Sequence, residues 1–436
     1  MTGRILDPVA CAKDPAQTYA LYVPTSYVPT KKWPVIFCFD PGARGRTPVE
    51  RLQAVAEKYG YIVAGSLTSR NGPWVANAAA IQAMVRDVES YLSIDVRRIY
   101  AAGLSGGARV ATQIAIGGLA KGVIDCSAGF PSSEEGIPDK VPFAFFGTAG
   151  TEDFNHGELR RLDDELESRR AIHRIVVFVG GHEWASPALL TEAVEWFELQ
   201  AMRAGTREKD DEFIAAQWNT RHTAAAAASG LGRWRSLKSL AADFKGLRDV
   251  SEVERQAKEL GGQRETKDAV KAERALDRKE TELISELAEL AGGGAVKPMK
   301  KLVADLRLRS QVAEDTEDRR LTRRVLAGFG SSGRDATRSM FENEDYVEAA
   351  DLLEVLVELR PGQTRTLYDL ARARAGMGDK KRALAVLQQA ADAGFADGPR
   401  VEAEKLFAKM RNDPAYVAAL AKIRANPPEP AGRGRR

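Results

Sequence analysis

Cysteine and histidine are scarce in these 436 residues, with three of the first and four of the second. Three thiols cannot build a disulfide framework. Cys38 and Cys126 lie within apolar, strand-like runs and read as core fillers, whereas Cys11 is ambiguous. Long hydrophobic runs are also absent. No stretch approaches the roughly 18 apolar residues of a membrane span, so none is expected. Met1-Thr2-Gly3-Arg4 has no apolar h-region. The chain as written therefore reads as cytoplasmic, and as secreted or periplasmic if a leader has been removed. Charge of one sign is lacking as well: 64 Lys and Arg against 61 Asp and Glu leave a net +3, spread along the chain. That balance excludes a dedicated nucleic-acid surface, and the basic run Gly432-Arg433-Gly434-Arg435-Arg436 reads as a frayed tail. With 44% hydrophobic and 29% charged residues the chain should fold, and its length suggests two or three domains.

Residues 17–205 alternate strand-like and helix-like stretches. Thr18 to Val23, Pro34 to Asp40, Tyr61 to Gly65, Gly122 to Ser127, Val141 to Phe146 and Ile172 to Val179 read as strands. Thr47 to Tyr59, Ala76 to Leu92, Ala108 to Ile116, Glu158 to Arg169 and Pro187 to Met202 read as helices. Pro34 to Asp40 is continuously apolar, as a strand buried on both faces should be. This alternation predicts an α/β protein with a doubly wound, mostly parallel sheet.

One stretch organises that region. The apolar run from Arg98 ends in Gly103-Leu104-Ser105-Gly106-Gly107, and a helix-forming run follows at once. This is G-x-S-x-G between strand and helix, the context of a nucleophile elbow. The turn is so tight that the residues two before and two after the serine must be small, and both are glycine. Ser105 would stand at a strained turn above the sheet, with the Gly106 N–H facing an oxyanion.

A serine hydroxyl needs a base, and the base needs a carboxylate that orients it. His182 follows the last strand, on the edge that carries Ser105, and is the expected base. His173 would lie at the opposite edge, His156 is too close in sequence to the acid candidates, and His222 lies outside the sheet region. The acid should follow the preceding strand, where Asp153 is the choice and Glu152 its rival. Asp125 ends an earlier strand, and Asp163 and Asp164 sit on a charged helix. A second oxyanion donor is expected from Asp40-Pro41-Gly42-Ala43-Arg44-Gly45, from Gly42 or Ala43, with Ala43 preferred. Trp74 and Trp184 are candidate pocket walls, and Arg70 and Asn71 candidate contacts to a polar substituent.

On Gly103-Leu104-Ser105-Gly106-Gly107, Gly147-Thr148 leading to Asp153, and Gly181-His182-Glu183-Trp184, residues 17–205 resemble the α/β-hydrolase superfamily. Within it they are similar to the esterase branch of polyhydroxybutyrate depolymerases, feruloyl and acetylxylan esterases and dienelactone-hydrolase-like proteins. The resemblance implies a serine esterase that forms an acyl-enzyme, needs no metal or other cofactor, and acts on a small-molecule or acylated-carbohydrate ester. An oligopeptidase-type serine peptidase and a non-catalytic scaffold are the alternatives.

After Gly205 the composition turns to Ala, Glu, Lys, Arg and Leu. Ala224 to Ala228, Lys267 to Lys279 and Thr281 to Leu290 look helical, with Gly292-Gly293-Gly294 and Pro298 as breaks. Farther on, Ala349, Leu353 and Leu356 align with Ala383, Leu387 and Ala390, an offset of about 34 residues that matches the tetratricopeptide period. Asn343-Glu344-Asp345-Tyr346 and Gly378-Asp379-Lys380 fall in equivalent turns. This end of the chain resembles tetratricopeptide-repeat proteins, which implies a protein partner or self-association. The expected division is 1–205 hydrolase, 206–330 helical connector and 331–436 repeat region.

Overall fold

The computed structural model describes residues 2–131 and 136–428, so the basic run 432–436 lies outside it. It falls into two compact units, Met1–Asp277 and Arg278–Arg436.

The first unit is built on eight strands: β1 (Ile5–Cys11), β2 (Asp14–Tyr22), β3 (Trp33–Phe39), β4 (Ile62–Ser66), β5 (Ile94–Leu104), β6 (Gly122–Cys126), β7 (Ala144–Gly150) and β8 (His173–Phe178). Their order in the sheet is β1-β2-β4-β3-β5-β6-β7-β8. β1 and β2 pair antiparallel, β2 meets β4 antiparallel, and β3 to β8 run parallel. Helices α1 (Arg46–Tyr59), α2 (Trp74–Tyr91), α3 (Gly106–Ile116), α4 (His156–Ser168) and α5 (Pro187–Arg203) connect and follow them. This is an α/β unit with a mostly parallel, doubly wound sheet.

The two faces explain the apolar run in β3. Val35, Phe37 and Phe39 pack with Ile81 and Met84 of α2 and Val110 of α3. Ile36 and Cys38 point the other way, toward Leu52 of α1 and Phe197 of α5. A strand with a helix layer on each side has no solvent face, so its sequence does not alternate.

Two strands differ from the sequence reading. β1 lies before the expected start at residue 17; it is a mostly half-exposed edge strand without an apolar alternation to mark it. β7 begins three residues after Val141 and continues through Gly147-Thr148-Ala149-Gly150, which pair in register with Ile175 to Phe178. Glycines usually weaken a strand, but here Gly150 admits a close neighbouring loop.

The first unit continues past Gly205 through α6 (Asp211–Ala227), α7 (Gly230–Phe244) and α8 (Ser251–Gly262). Ile214, Leu237, Leu240, Phe244 and Val253 form a core with Leu199 and Met202 of α5. Trp196 Nε1 donates to buried Asp243 at 2.7 Å. The stretches 267–279 and 281–290 form one helix, α9 (Arg264–Gly292).

In the second unit α10 (Val296–Ser310), α11 (Glu317–Glu342), α12 (Tyr346–Leu359), α13 (Thr364–Gly376) and α14 (Lys380–Asp392) form successive hairpins, followed by α15 (Gly398–Ala403) and α16 (Pro414–Ala425). Pro298 does not break a helix. It sits in the first turn of α10, where its missing N–H is not needed. The repeat is visible in the backbone. Asp345 N donates to Met340 O at 2.8 Å and Asp379 N to Arg374 O at 3.0 Å, with Glu344 and Gly378 at φ 63° and 79°. The turn between α9 and α10 has the same form: Ala295 N donates to Leu290 O at 2.9 Å, with Gly294 at φ 62°. The sequence alignment reveals two units, and a helix end of the same form precedes α10. Gly376 of α13 admits the preceding helix α12, since a Cβ there would lie 2.4 Å from the Tyr346 ring. Gly376→Ala is expected to destabilise by about 1–2 kcal/mol, an overpacking cost that outweighs alanine's better helix propensity. A lower denaturant midpoint by circular dichroism would check this.

Candidate active site

Because β3 to β8 are parallel, the loops after β3, β4, β5, β7 and β8 leave one edge of the sheet, and they carry every candidate residue. The loop before β8 leaves the other. His173, the first residue of β8, is there and contacts Asp163 at 3.2 Å.

Ser105 joins β5 to α3 with φ 54° and ψ −123°, a strained conformation for a residue with a side chain. The strain is enforced by close approach. A Cβ on Gly103 would lie 2.2 Å from Gly107 O, and one on Gly107 2.2 Å from Phe39 O. Ser105 N is held by Cys126 O of β6 at 2.8 Å. Gly106 opens α3, and its N–H belongs to the first turn, where helix donors have no partner within the helix.

Asp153 is fully buried after β7. Its Oδ1 accepts from His182 Nδ1 at 2.9 Å and from Asn155 N at 2.9 Å. Its Oδ2 is buried without a hydrogen-bond partner among the described residues. The imidazole is therefore the side chain that stabilises this carboxylate. A proton held on Nδ1 leaves Nε2 as an acceptor. Phe154 stacks on the imidazole, centroids 4.0 Å apart and planes 23° apart. Gly150 brings the histidine loop this close: a Cβ there would lie 2.4 Å from the carbonyl oxygens of Gly180 and Gly181. Glu152 N donates to Gly180 O at 2.8 Å, tying the same loops. Asn155 Nδ2 donates to Ser127 O at 2.8 Å, and Ser127 Oγ to Glu183 O at 3.3 Å. The structure thus brings Asp153 and His182 together. No hydrogen bond joins Ser105 Oγ to His182 among the described residues.

Asp125 is occupied elsewhere. It accepts from Thr112 Oγ1 at 3.2 Å and Ala128 N at 3.1 Å, and burial pushes its carboxyl well above the usual carboxylate range. His156 is buried at the start of α4, and His222 on α6 stacks against Trp218.

The loop after β3 closes on Asp40, which is buried. Its carboxylate accepts from Gly42 N at 2.8 Å, from Arg44 Nε and Nη2 at 2.7 and 3.0 Å, and from Trp184 Nε1 at 2.9 Å. Ala43, at φ 58°, donates its N–H to Asp40 O at 3.0 Å. Both expected donors of this loop, Gly42 and Ala43, therefore spend their N–H groups within it. Trp184 is 4% exposed and braces Asp40 from the core, whereas Trp74, at the start of α2, is 48% exposed. Trp184→Phe keeps an aromatic side chain but removes the indole N–H and part of its buried volume, stripping one hydrogen bond from a buried carboxylate, so about 1.5–3 kcal/mol of stability should be lost, read from urea unfolding.

Arg70 and Asn71 are exposed on the loop after β4, which is pinned to its neighbour. Gly42 and Arg70 form an antiparallel bridge, and Asn71 N donates to Pro41 O at 2.9 Å. Buried Asn77 of α2 accepts from Ser69 Oγ and Arg70 N and donates to Arg70 O. Sequence reasoning passes over Asp40, Asn77, Phe154 and Asn155. Only Asp40 leaves a mark, as a charge that ends a wholly apolar run.

Among the described residues, no helix is long and apolar enough to cross a membrane, and no three His, Cys, Asp or Glu side chains cluster as a metal site. A family model described as tetratricopeptide repeat matches residues 340–406. No curated protein matches the chain. Among solved structures the chain is similar to FphF, a fluorophosphonate-binding serine hydrolase of Staphylococcus aureus, at 13% identity over 45% of this chain and 98% of that one, with TM-score 0.37. It is also similar to Est1E from Butyrivibrio proteoclasticus, at 16% identity over 43% and 94% with TM-score 0.33. A ferulic acid esterase is a third, at 15% identity over 44% and 95% with TM-score 0.34.

Proposed function

We propose that the first unit is a serine hydrolase that cleaves carboxylic esters of small molecules or acylated carbohydrates, and that the tetratricopeptide repeats take a protein partner or a second copy of the chain. The observation that carries the first part is the 2.9 Å hydrogen bond between His182 Nδ1 and buried Asp153, on the sheet edge where Ser105 stands at its strained turn. In this reading His182 Nε2 takes the Ser105 proton as the hydroxyl attacks the ester carbonyl. The hydroxyl and imidazole come into line when substrate binds, since catalytic hydrogen bonds are often long in free enzymes. Asp153 holds the tautomer and stabilises the imidazolium. The Gly106 N–H binds the tetrahedral oxyanion. A second donor from Ala43 or Gly42 requires that the loop give up a hydrogen bond to Asp40. His182 then protonates the leaving alcohol, and water hydrolyses the acyl-enzyme by the same steps. Arg70, Asn71 and Trp74 would line the substrate side.

The test is labelling by a fluorophosphonate probe together with hydrolysis of p-nitrophenyl acetate and butyrate. Wild type should be labelled and active, Ser105→Ala neither, and peptide p-nitroanilides should not be cleaved. Equal behaviour of the two proteins overturns the proposal, and faster anilide cleavage turns it toward a peptidase. Light scattering of the full chain across concentration separates self-association from capture of another protein.

A further inference from the structure

We propose that the side-chain carboxamide of Asn71 supplies the second hydrogen bond to the oxyanion, beside the Gly106 N–H. This rests on the ester-hydrolase reading above and departs from it in the source of that donor. Three observations carry it.

The first is that neither expected donor of the loop after β3 is free. Gly42 N and Ala43 N are both donated to Asp40, which is itself locked by Arg44 and Trp184. Freeing Gly42 N would leave Asp40 Oδ1 with Arg44 Nε alone, and freeing Ala43 N would strip a hydrogen bond from Asp40 O, each a cost at a buried residue.

The second is where the Asn71 carboxamide lies. A Cβ on Gly106 would fall 1.9 Å from Asn71 Oδ1, 2.9 Å from Cγ and 3.5 Å from Nδ2. The amide group therefore sits against the Cα of the residue whose N–H is the first donor, and it fits there because that residue is glycine. A half-turn about the last side-chain bond exchanges oxygen and nitrogen without moving the group, so either can face the reacting centre.

The third is that this carboxamide is unengaged while the backbone that carries it is pinned. Neither its oxygen nor its nitrogen is hydrogen-bonded among the described residues, whereas Asn77 nearby spends its side chain on the loop. Yet the Asn71 backbone is fixed by its N–H to Pro41 O and by the Gly42–Arg70 bridge. A donor on a pinned loop, free of other acceptors, is preorganised for charge that develops only in the transition state.

The experiment compares wild type, Asn71→Ala, Asn71→Leu, Gly106→Ala and the double variant Asn71→Ala/Gly106→Ala. Asn71 is exposed and its backbone bond survives both substitutions, so folding should be unaffected, which circular dichroism checks. With p-nitrophenyl acetate, kcat should fall about 10²–10³-fold in Asn71→Ala and in Asn71→Leu, the usual effect of losing one oxyanion donor. KM should stay within about threefold. Affinity for a boronic acid that forms a tetrahedral adduct should fall with kcat/KM. Gly106→Ala should push the carboxamide aside, so the double variant should be little worse than the poorer single one. A kcat for Asn71→Ala like that of wild type, or a loss in KM alone, overturns the proposal. If wild type is labelled by fluorophosphonate and active while Asn71→Ala matches it, only the Asn71 role falls. If wild type is neither labelled nor active, the ester reading falls and this role with it.

Discussion

His182→Ala is expected to lower kcat for ester hydrolysis by about 10⁶-fold, and adding Ser105→Ala is expected to cost almost nothing more. The reason is that the two side chains act in a single proton transfer. Without the imidazole, the hydroxyl keeps its proton and is no better than water. Without the hydroxyl, the base has nothing to activate. Asp153→Asn should be milder, about 10⁴-fold, because it leaves the ring in place. Its amide can present N–H to Nδ1, which favours the tautomer with the proton on Nε2, the atom that must accept. Asp153 has no other side-chain donor to share it among the described residues. Single-turnover rates for the three variants and the double variant would check the pattern. Losses for His182→Ala and Ser105→Ala that multiply in the double variant would mean that the residues do not work as one unit. Labelling by fluorophosphonate should fall in the same order, since it needs the same activated hydroxyl.

What could be read in advance follows from how far apart the interacting residues are. The elbow is legible because its geometry is local: five consecutive residues state both the tight turn and the serine it presents. β3 was legible because a strand between two helix layers shows an unbroken apolar run. Asp153 and His182 were found by chain order and strand ends, which needs only the parallel sheet. The contacts that support the candidate site were not legible. Trp184 and Asp40 are 144 positions apart, and nothing in Gly181-His182-Glu183-Trp184 says that the indole faces inward. The carboxamide of Asn71 lies against Gly106 through the fold alone, and Gly106 reads in sequence as one more small residue of the motif. β1 was missed because a half-exposed edge strand carries no period. The repeat period is not legible before residue 340 because α11, at 26 residues, is longer than a repeat helix and breaks the spacing.

Gly107→Ala is expected to destabilise the chain by about 3 kcal/mol or more, above the ordinary range for a surface glycine. The added carbon would lie 2.2 Å from Phe39 O, 2.6 Å from its carbonyl carbon and 3.0 Å from Asp40 N. None of these atoms is the end of a flexible side chain. Phe39 ends β3, which pairs with β4 on one side and β5 on the other, so the strand cannot yield without loosening both ladders. If α3 moved instead, the Gly106 N–H would leave the serine and the Asn71 amide would lose its seat. A better helix former gains at most about 1 kcal/mol at this position, too little to offset the clash. Thermal unfolding of the full chain should show a midpoint lowered by about 6–12 °C. Gly181→Ala is the control, since a Cβ there meets nothing within 4 Å and should leave the midpoint unchanged. A Gly107→Ala protein that melts like wild type would mean that β3 and α3 do not approach as closely as this. In that case neither the strain at Ser105 nor the position of its hydroxyl would be fixed by the two glycines of the elbow.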